Sequence, residues 1–168
     1  MLQTILILAT LFVAALLLVG WTASRPRGRQ FVPLGNVAEG FHPAVKTYFT
    51  DAAVATRYLL GKIGTDSSHV ALAGVGDIPL GIISDEAAAA EDAVAVQLFG
   101  LHKEGALAVA SAAIAAGAFI VAAADGKVRT LPATTGTYYI IGRALKAAAA
   151  DGDPLEFTPC FPVQRVVA

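Results

Sequence analysis

The residues whose types and order come closest to a reactive site are Ser67, Ser68 and His69, two hydroxyl groups followed by a base. Nucleophilic catalysis needs the hydroxyl and the imidazole within hydrogen-bond reach. Side chains of adjacent strand residues point to opposite faces, so Ser68 and His69 are not expected to meet. Neither serine lies in a glycine-flanked nucleophile elbow. The pattern predicts polar residues at a strand edge and not a hydrolase site.

Four carboxylates, Asp85, Glu86, Glu91 and Asp92, are close enough in sequence to suggest acid–base chemistry or a calcium site. General acid–base catalysis needs a partner group in a cleft, and a calcium loop needs alternating oxygen ligands on a tight turn. Neither spacing is present. Because acidic side chains are mostly exposed, the cluster predicts a solvated turn.

The other reactive residue types are too few or too scattered to form a site. Gly74-Val75-Gly76 lacks the further residues of a phosphate-binding loop. The single cysteine, Cys160, cannot form an internal disulfide and has no base beside it in sequence. The histidines at positions 42, 69 and 102 offer no pair at metal-ligand spacing. We therefore expect no catalytic, cofactor-binding or metal-binding residue, and the chain is not predicted to be an enzyme.

Composition narrows the partners further. Hydrophobic residues make up 56% of the 168 residues and charged residues only 15%, against about 45–50% and about 25% in typical globular domains. The formal net charge is -1. Phosphate binding requires clustered basic residues, so the sequence does not predict a nucleic-acid partner.

Residues 1–21 form an apolar segment that is competent to contact a membrane. No charged residue lies between Leu2 and Val19, and about eighteen residues in a helix extend about 27 Å, close to the thickness of a hydrocarbon core. Trp21 lies where an interfacial aromatic would, and arginines follow it. We predict an N-terminal apolar helix with a membrane contact through Leu2 to Val19. Two alternatives remain open: an arm buried against a partner, or a stretch that is not part of the working protein.

Residues 22–45 are rich in Arg, Pro and Gly and are predicted to form a linker or extended arm. Phe31, Phe41, Tyr48 and Phe49 lie in and just after this stretch. One interpretation is a partner-contact arm that anchors through its aromatic side chains. The other is a loop that folds back over the core of its own domain.

Residues 46–168 are predicted to form an all-β domain, a small barrel or sandwich of short strands. Apolar stretches alternate here with Gly, Asp and Pro turns. The alanine runs 87–90 and 147–150 favour helix but are too short to be stable helices. The pair Asp125-Gly126 predicts a hairpin turn. Strands are predicted over residues 57–63, 69–73, 94–98, 106–110, 119–122, 127–131, 138–144 and 155–158.

Residues 78–99 and 139–160 look like two copies of one strand–link–strand unit. Each has an apolar stretch with a glycine, a link of small residues, an acidic turn and a second strand. Gly81 and Asp92 of the first copy have counterparts in Gly142 and Asp153, sixty-one positions later. Such an internal duplication suggests a scaffold that presents a surface, and not a pocket built around a reactive group.

Eight short motifs resemble, in this order, a family of tailed-phage capsid decoration proteins, and more weakly the lambda-type head decoration protein. The resemblance covers about residues 45–168, and residues 1 to about 29 have no counterpart in it. The motifs are RYLL at 57–60, SHVA at 68–71, DIPLGI at 77–82, AIAAG at 113–117, ADGKV at 124–128, GTYY at 136–139, IGRAL at 141–145 and AAADGD at 148–153.

The resemblance implies a structural protein that binds the outside of an assembled phage head and cements neighbouring subunits of the major capsid protein, often as a trimer. It implies no catalytic or cofactor residue. The expected location is the exterior of the virion, after assembly in the host cytoplasm. The competing hypothesis is a membrane-anchored β binding module of the bacterial envelope, held near a bilayer by the apolar N-terminal segment.

Overall fold

Ten β-strands make up the computed structural model, which describes residues 45–100 and 105–168. The predicted N-terminal helix and nearly all of the predicted linker lie outside these residues. Within them there is no α-helix, only a short 3-10 turn at Ala124–Gly126. The strands are β1 Val45–Thr50, β2 Leu59–Ile63, β3 His69–Leu72, β4 Gly81–Ile83, β5 Ala93–Leu98, β6 Ala106–Val109, β7 Phe119–Ala122, β8 Val128–Thr130, β9 Gly136–Ala144 and β10 Pro154–Val167.

The first five strands form a closed barrel, the first module, with the order β1-β3-β2-β4-β5. Strand β1 runs parallel to β3 and antiparallel to β5, and the pairing with β5 closes the barrel. Successive strand residues point to opposite faces, so every second side chain points inward. The interior residues are Tyr48, Val54, Leu59, Val70, Ile83, Ala87, Val94 and Val96.

The last five strands form the second module, a sheet with the order β6-β10-β9-β7-β8. The second module repeats the connectivity of the first, with β6 to β10 in the places of β1 to β5 and with the sheet open between β6 and β8. Its two edges are joined by one parallel bridge between Ala110 and Val128, where the first module has the parallel pair of β1 and β3. The all-β prediction is confirmed, and the architecture is two small five-stranded units, one a closed barrel and one nearly closed.

The two segments that look alike in sequence also make the same hydrogen bonds. Ser84 N donates to Ala95 O at 2.8 Å, and sixty-one positions later Leu145 N donates to Glu156 O at 2.8 Å. Gly81 and Gly142 allow the closest backbone approach in each module. A Cβ on Gly81 would collide with the Gln97 carbonyl oxygen across the strand pair, and one on Gly142 would collide with the Thr158 carbonyl oxygen.

Most predicted strands are present with small shifts of their ends, and the hairpin at Asp125-Gly126 is confirmed by positive φ angles of 57° and 72°. Two features differ from the sequence interpretation. The stretch at the end of the predicted linker, over which no strand is predicted, contains a complete strand, β1, which carries Tyr48 and Phe49. Strand β10 has 14 residues, with a register shift between Pro159 and Val163, because the chain stays paired to β9 beyond the predicted end.

The outer side of the first module packs into the core of the second. Leu60 and Ile82 point away from the barrel interior, yet both are fully buried in the hydrophobic cluster of the second module. Phe99 and Phe157 meet in that cluster with their ring centroids 6.5 Å apart. The 3-10 turn closes this contact, since Gly126 N donates to Ala73 O at 2.9 Å.

Candidate functional site

The acidic residues that could have suggested acid–base chemistry support turns. Asp85 accepts a hydrogen bond from Ala95 N at 2.9 Å. Asp92 accepts one from Ala89 N at 3.0 Å, and its counterpart Asp153 accepts one from Ala150 N at 2.9 Å. A carboxylate that accepts backbone N–H groups orders a turn, because it satisfies donors left free where the strands end. These residues hold the links between strands in place.

Ser68 and His69 do meet, contrary to the sequence prediction. The reason is that β3 begins at His69, so Ser68 belongs to the preceding turn and strand alternation does not separate the two side chains. Ser68 Oγ lies 3.3 Å from His69 Nδ1. Asp66 Oδ1 accepts hydrogen bonds from Ser68 N and Ser68 Oγ, both at 2.7 Å, and lies 2.8 Å from His69 Nδ1.

This histidine is held between two carboxylates and is not a free base. His69 Nδ1 faces Asp66 and Nε2 faces Glu91 Oε1 at 3.1 Å. The hydrogen bond to Asp66, opposed by partial burial and reinforced by Glu91, raises the pKa of His69. The hydrogen bonds from His69 and Ser68 lower the pKa of Asp66. Because Ser68 Oγ donates to Asp66 Oδ1 and both imidazole nitrogens face carboxylates, the pair is not arranged for His69 to take a proton from Ser68.

The same cluster ties two turns of the first module together. Glu91 adopts a left-handed backbone conformation with φ of 67°, whereas its counterpart in the second module is a glycine, Gly152, with φ of 87°. A side chain is strained in this region of φ and ψ. In the first module Glu91 makes a contact that a glycine could not make, to His69 at the start of β3.

The four aromatic residues proposed as a partner-contact arm lie in different environments. Tyr48 is buried with 4% exposure inside the barrel. Phe49 is half-buried on the other face of β1, with its ring centroid 6.0 Å from that of His69. Phe31 and Phe41 lie outside the described residues. Tyr48 therefore acts in the core, and a contact through the other three stays a prediction.

Cys160 lines an apolar groove on the outer face of the second module. Burial raises the pKa of this thiol, and Sγ donates a weak hydrogen bond to Ile140 O at 3.7 Å. A thiol with a raised pKa is a poor nucleophile. The groove has a volume of about 580 Å³ and is also lined by Phe119, Arg143 and Leu145. It presents apolar surface without a converging set of reactive groups.

Large apolar side chains are also exposed elsewhere on both modules, and they are the feature that best suits a protein contact. Among the described residues, no group of three His, Cys, Asp or Glu could hold a metal ion. Nor is any helix in that part of the chain long and apolar enough to cross a membrane. The exposed apolar residues are Val45, Ile63, Val75, Ile78, Leu107, Phe119, Leu145, Phe161, Val163 and Val166.

The family model described as phage cement protein matches residues 46–158. The chain belongs to the phage cement protein family. This cement protein is accordingly a structural, non-enzymatic component of the phage particle, located on the exterior of the capsid.

A solved structure has a similar fold. The crystal structure of the head fiber gp8.5 N base in bacteriophage phi29 superposes with a TM-score of 0.53 at 19% identity, over 70% of this chain and 94% of that one. At this identity the likeness concerns the fold alone. None of the curated proteins compared with the chain matches it.

The outer face of the second module is the surface that sequence reasoning missed. The sequence contains one signal of this surface, an apolar residue at equivalent positions of the two modules. Phe119 in β7 and Leu60 in β2 occupy equivalent positions. Leu60 pairs with Ile82, the residue after Gly81 of β4, and Phe119 pairs with Arg143, the residue after Gly142 of β9. A comparison of the complete modules would have shown an apolar residue at both positions, and the structure adds that Leu60 is covered and Phe119 is exposed.

Proposed function

We propose that this cement protein binds the major capsid protein on the outside of the assembled head as a homotrimer. The observation that carries the proposal is membership of the cement family over residues 46–158. That match spans both β modules, so the body from 46 to 168 is the capsid-binding domain in this proposal. No catalytic step is needed for its role.

The surface chemistry supports adhesion through many modest contacts. The chain has a net charge of -1, and its exposed apolar side chains are distributed over both modules. A trimer that binds several capsid subunits together gains apparent affinity without a strong single site, because the second and third contacts become intramolecular. Cementing follows, since one bound trimer links neighbouring capsid subunits.

The aromatic arm would add a peripheral contact. In this proposal Phe31 and Phe41 reach along a neighbouring capsid subunit, and Phe49 extends the contact onto β1. Burial of Tyr48 supports this division, because its ring anchors β1 in the barrel while Phe49 faces outward. Extended arms with aromatic anchors are a common recognition mode.

A second candidate function is a membrane-anchored β binding module of the bacterial envelope. The observation that favours it is the uncharged stretch from Leu2 to Val19, followed by Arg25, Arg27 and Arg29. If this segment spans a bilayer, the arginines hold the β body on the cytoplasmic side.

Co-sedimentation with assembled, expanded phage heads tests the first candidate. The full-length protein should pellet with the heads and raise the temperature at which they disrupt. Phe31→Ala combined with Phe41→Ala should weaken binding more than Phe161→Ala does, because Phe161, an aromatic of β10 with 72% exposure, supplies at most one of the modest contacts of the β body. Equal losses in both variants would contradict the arm.

Fractionation of producing cells separates the two candidates. Full-length protein found only in detergent-extracted membranes, with no binding to heads, would support the envelope module and contradict the cement proposal. Protein that binds heads and behaves like a chain of residues 30–168 would support the cement proposal and leave the segment from Leu2 to Val19 without an anchoring role.

A further inference from the structure

The two modules of one chain are joined by a head-to-tail contact, in which different surfaces of the same kind of unit meet. The first module contributes the outer side of β2 and β4, with Leu60 and Ile82 fully buried. The second contributes its β6 side and the 3-10 turn, which packs so closely that a Cβ added to Gly126 would lie 3.0 Å from Leu60 O and 3.1 Å from Leu72 Cδ2. Because the modules share one connectivity, the second module has a counterpart of the outer side of β2 and β4. The first module likewise has a counterpart of the β6 side and the 3-10 turn.

The second module leaves its counterpart of the outer side of β2 and β4 uncovered. Phe119 and Arg143 pair across β7 and β9 as Leu60 and Ile82 pair across β2 and β4. Phe119 is 52% exposed and nearby Leu145 is 50% exposed, whereas Leu60 and Ile82 are 0% exposed. We call Phe119, Arg143 and Leu145 the seat. It lines the apolar groove described above.

The first module leaves its counterpart of the β6 side and the 3-10 turn uncovered. Ile63 pairs with Val70 as Ala122 pairs with Val128, but Ala122 is buried in the cluster that also contains Leu60 and Ile82, while Ile63 is 50% exposed. Val45, at the same end of the barrel, is 40% exposed. We call Val45, Ile63 and the turn of residues 64–68 the rim.

We propose that the seat of one chain receives the rim of a second copy, so that the contact inside each chain is repeated between chains. Val45 and Ile63 of the rim and Phe119 and Leu145 of the seat supply apolar contact area. The polar part of the two surfaces is complementary in charge: Arg143 is exposed at the seat, and the carboxylate of Asp66, 59% exposed, lies in the rim turn. That turn corresponds to the 3-10 turn that already packs on the first module. The occupant of the groove is therefore the first module of a second copy of this chain.

A head-to-tail contact either closes a ring or grows a filament. Three chains would close a ring of six modules, and this inference rests on the proposed trimer and supplies its interface. In such a ring no seat and no rim stays exposed. This accounts for four of the exposed large apolar side chains, namely Val45, Ile63, Phe119 and Leu145.

Native mass spectrometry of the full-length chain tests the inference. The wild type should have three times the chain mass of 17.2 kDa. Phe119→Asp at the seat and Ile63→Asp at the rim should each raise the dissociation constant by at least about tenfold, and Leu145→Asp is a second seat variant if Phe119→Asp fails to fold. Val75→Asp is the matched control, because Val75 is 54% exposed and belongs to neither surface.

Mixing the two variants distinguishes a head-to-tail contact from a symmetric one. A seat variant and a rim variant together still have one intact seat and one intact rim, so the mixture should form a one-to-one dimer while each variant alone is monomeric. Normal assembly of Ile63→Asp alone, or failure of the mixture to pair when both variants are folded, would overturn the inference.

Head binding is measured in parallel so that the two proposals fail separately. A wild-type chain that stays monomeric and still binds heads overturns the proposed interface and leaves the cement function standing. A chain that forms the predicted trimer but does not bind heads supports the interface and contradicts the capsid partner.

Discussion

Alanine at Gly81 tests the closest backbone approach in the first module, and alanine at Gly142 tests its counterpart in the second. The new Cβ of Gly81→Ala would overlap the carbonyl oxygen of Gln97 and lie 2.8 Å from the carbonyl carbon of the same residue. The Cβ of Gly142→Ala would overlap the carbonyl oxygen of Thr158 and lie 2.7 Å from Cδ2 of Phe157. Most of these neighbours are backbone atoms of a paired strand, so rotation of a side chain cannot relieve the overlap.

The magnitude follows from how far the strands must separate. Carbon atoms in contact lie about 3.5–4.0 Å apart, so β4 and β5 must move apart by about 1 Å. The bond from Phe99 N to Leu80 O is already 3.1 Å long and would exceed hydrogen-bonding distance. Losing one or two ladder bonds at about 1 kcal/mol each, with about 1–2 kcal/mol of overpacking, gives a loss of about 2–4 kcal/mol in the free energy of unfolding.

Thermal unfolding of each variant checks this value. A loss of about 2–4 kcal/mol corresponds to a decrease in Tm of about 5–15 °C for a chain of this size. Gly105→Ala is the control, because its new Cβ would lie 3.5 Å or more from any neighbour, and its Tm should change little. A decrease at Gly81→Ala no larger than that of the control would refute the close approach, and a large effect at only one of the two glycines would refute their structural equivalence.

Three further predictions concern the interiors and the histidine cluster. Phe157→Ala, at a fully buried ring in the second module, should destabilise the protein by about 3–5 kcal/mol in urea unfolding. Thr50→Val should cost about 1–2 kcal/mol by the same measurement, because Thr50 Oγ1 donates to Ala89 O at 3.0 Å in a fully buried position; an unchanged midpoint would argue against that bond. The raised pKa of His69 stabilises the fold below the unfolded value of about 6.5 and ceases to do so as pH rises through the folded value. The difference in Tm between wild type and His69→Gln should therefore be larger at about pH 5.5 than at about pH 9, and a difference that grows with pH would contradict the assigned contacts.

Local signals account for most of the strands and turns. Short apolar stretches between Gly, Asp and Pro turns predicted the cores of β3, β5, β6, β7 and β9, because such turn residues interrupt the chain between strands. The Asp125-Gly126 pair predicted its hairpin because both residues tolerate positive φ. The acidic residue that ends each alanine link could be placed in a turn, although the backbone N–H groups that it accepts from could not be named.

Strand β1 escaped detection because its evidence is not local. Its six residues VKTYFT follow a Pro-rich stretch, and they become a strand by pairing with β5 more than forty positions away. A longer comparison contains a clue, since Ala52-Ala53-Val54-Ala55 recurs sixty positions later as Ala112-Ala113-Ile114-Ala115. Val54 and Ile114 make equivalent bridges to the two alanine links, so the repeat extends over the entire module.

The sequence by itself determined an all-β chain of short strands, the repeated glycine and aspartate positions, and a resemblance to capsid decoration proteins. Only the tertiary structure decided which apolar faces are covered. Leu60 and Phe119 occupy equivalent strand positions, yet one is fully buried and the other half exposed. Side-chain periodicity reports that a face is apolar, but burial depends on what packs against that face, and here this is set by a contact between segments far apart in the chain.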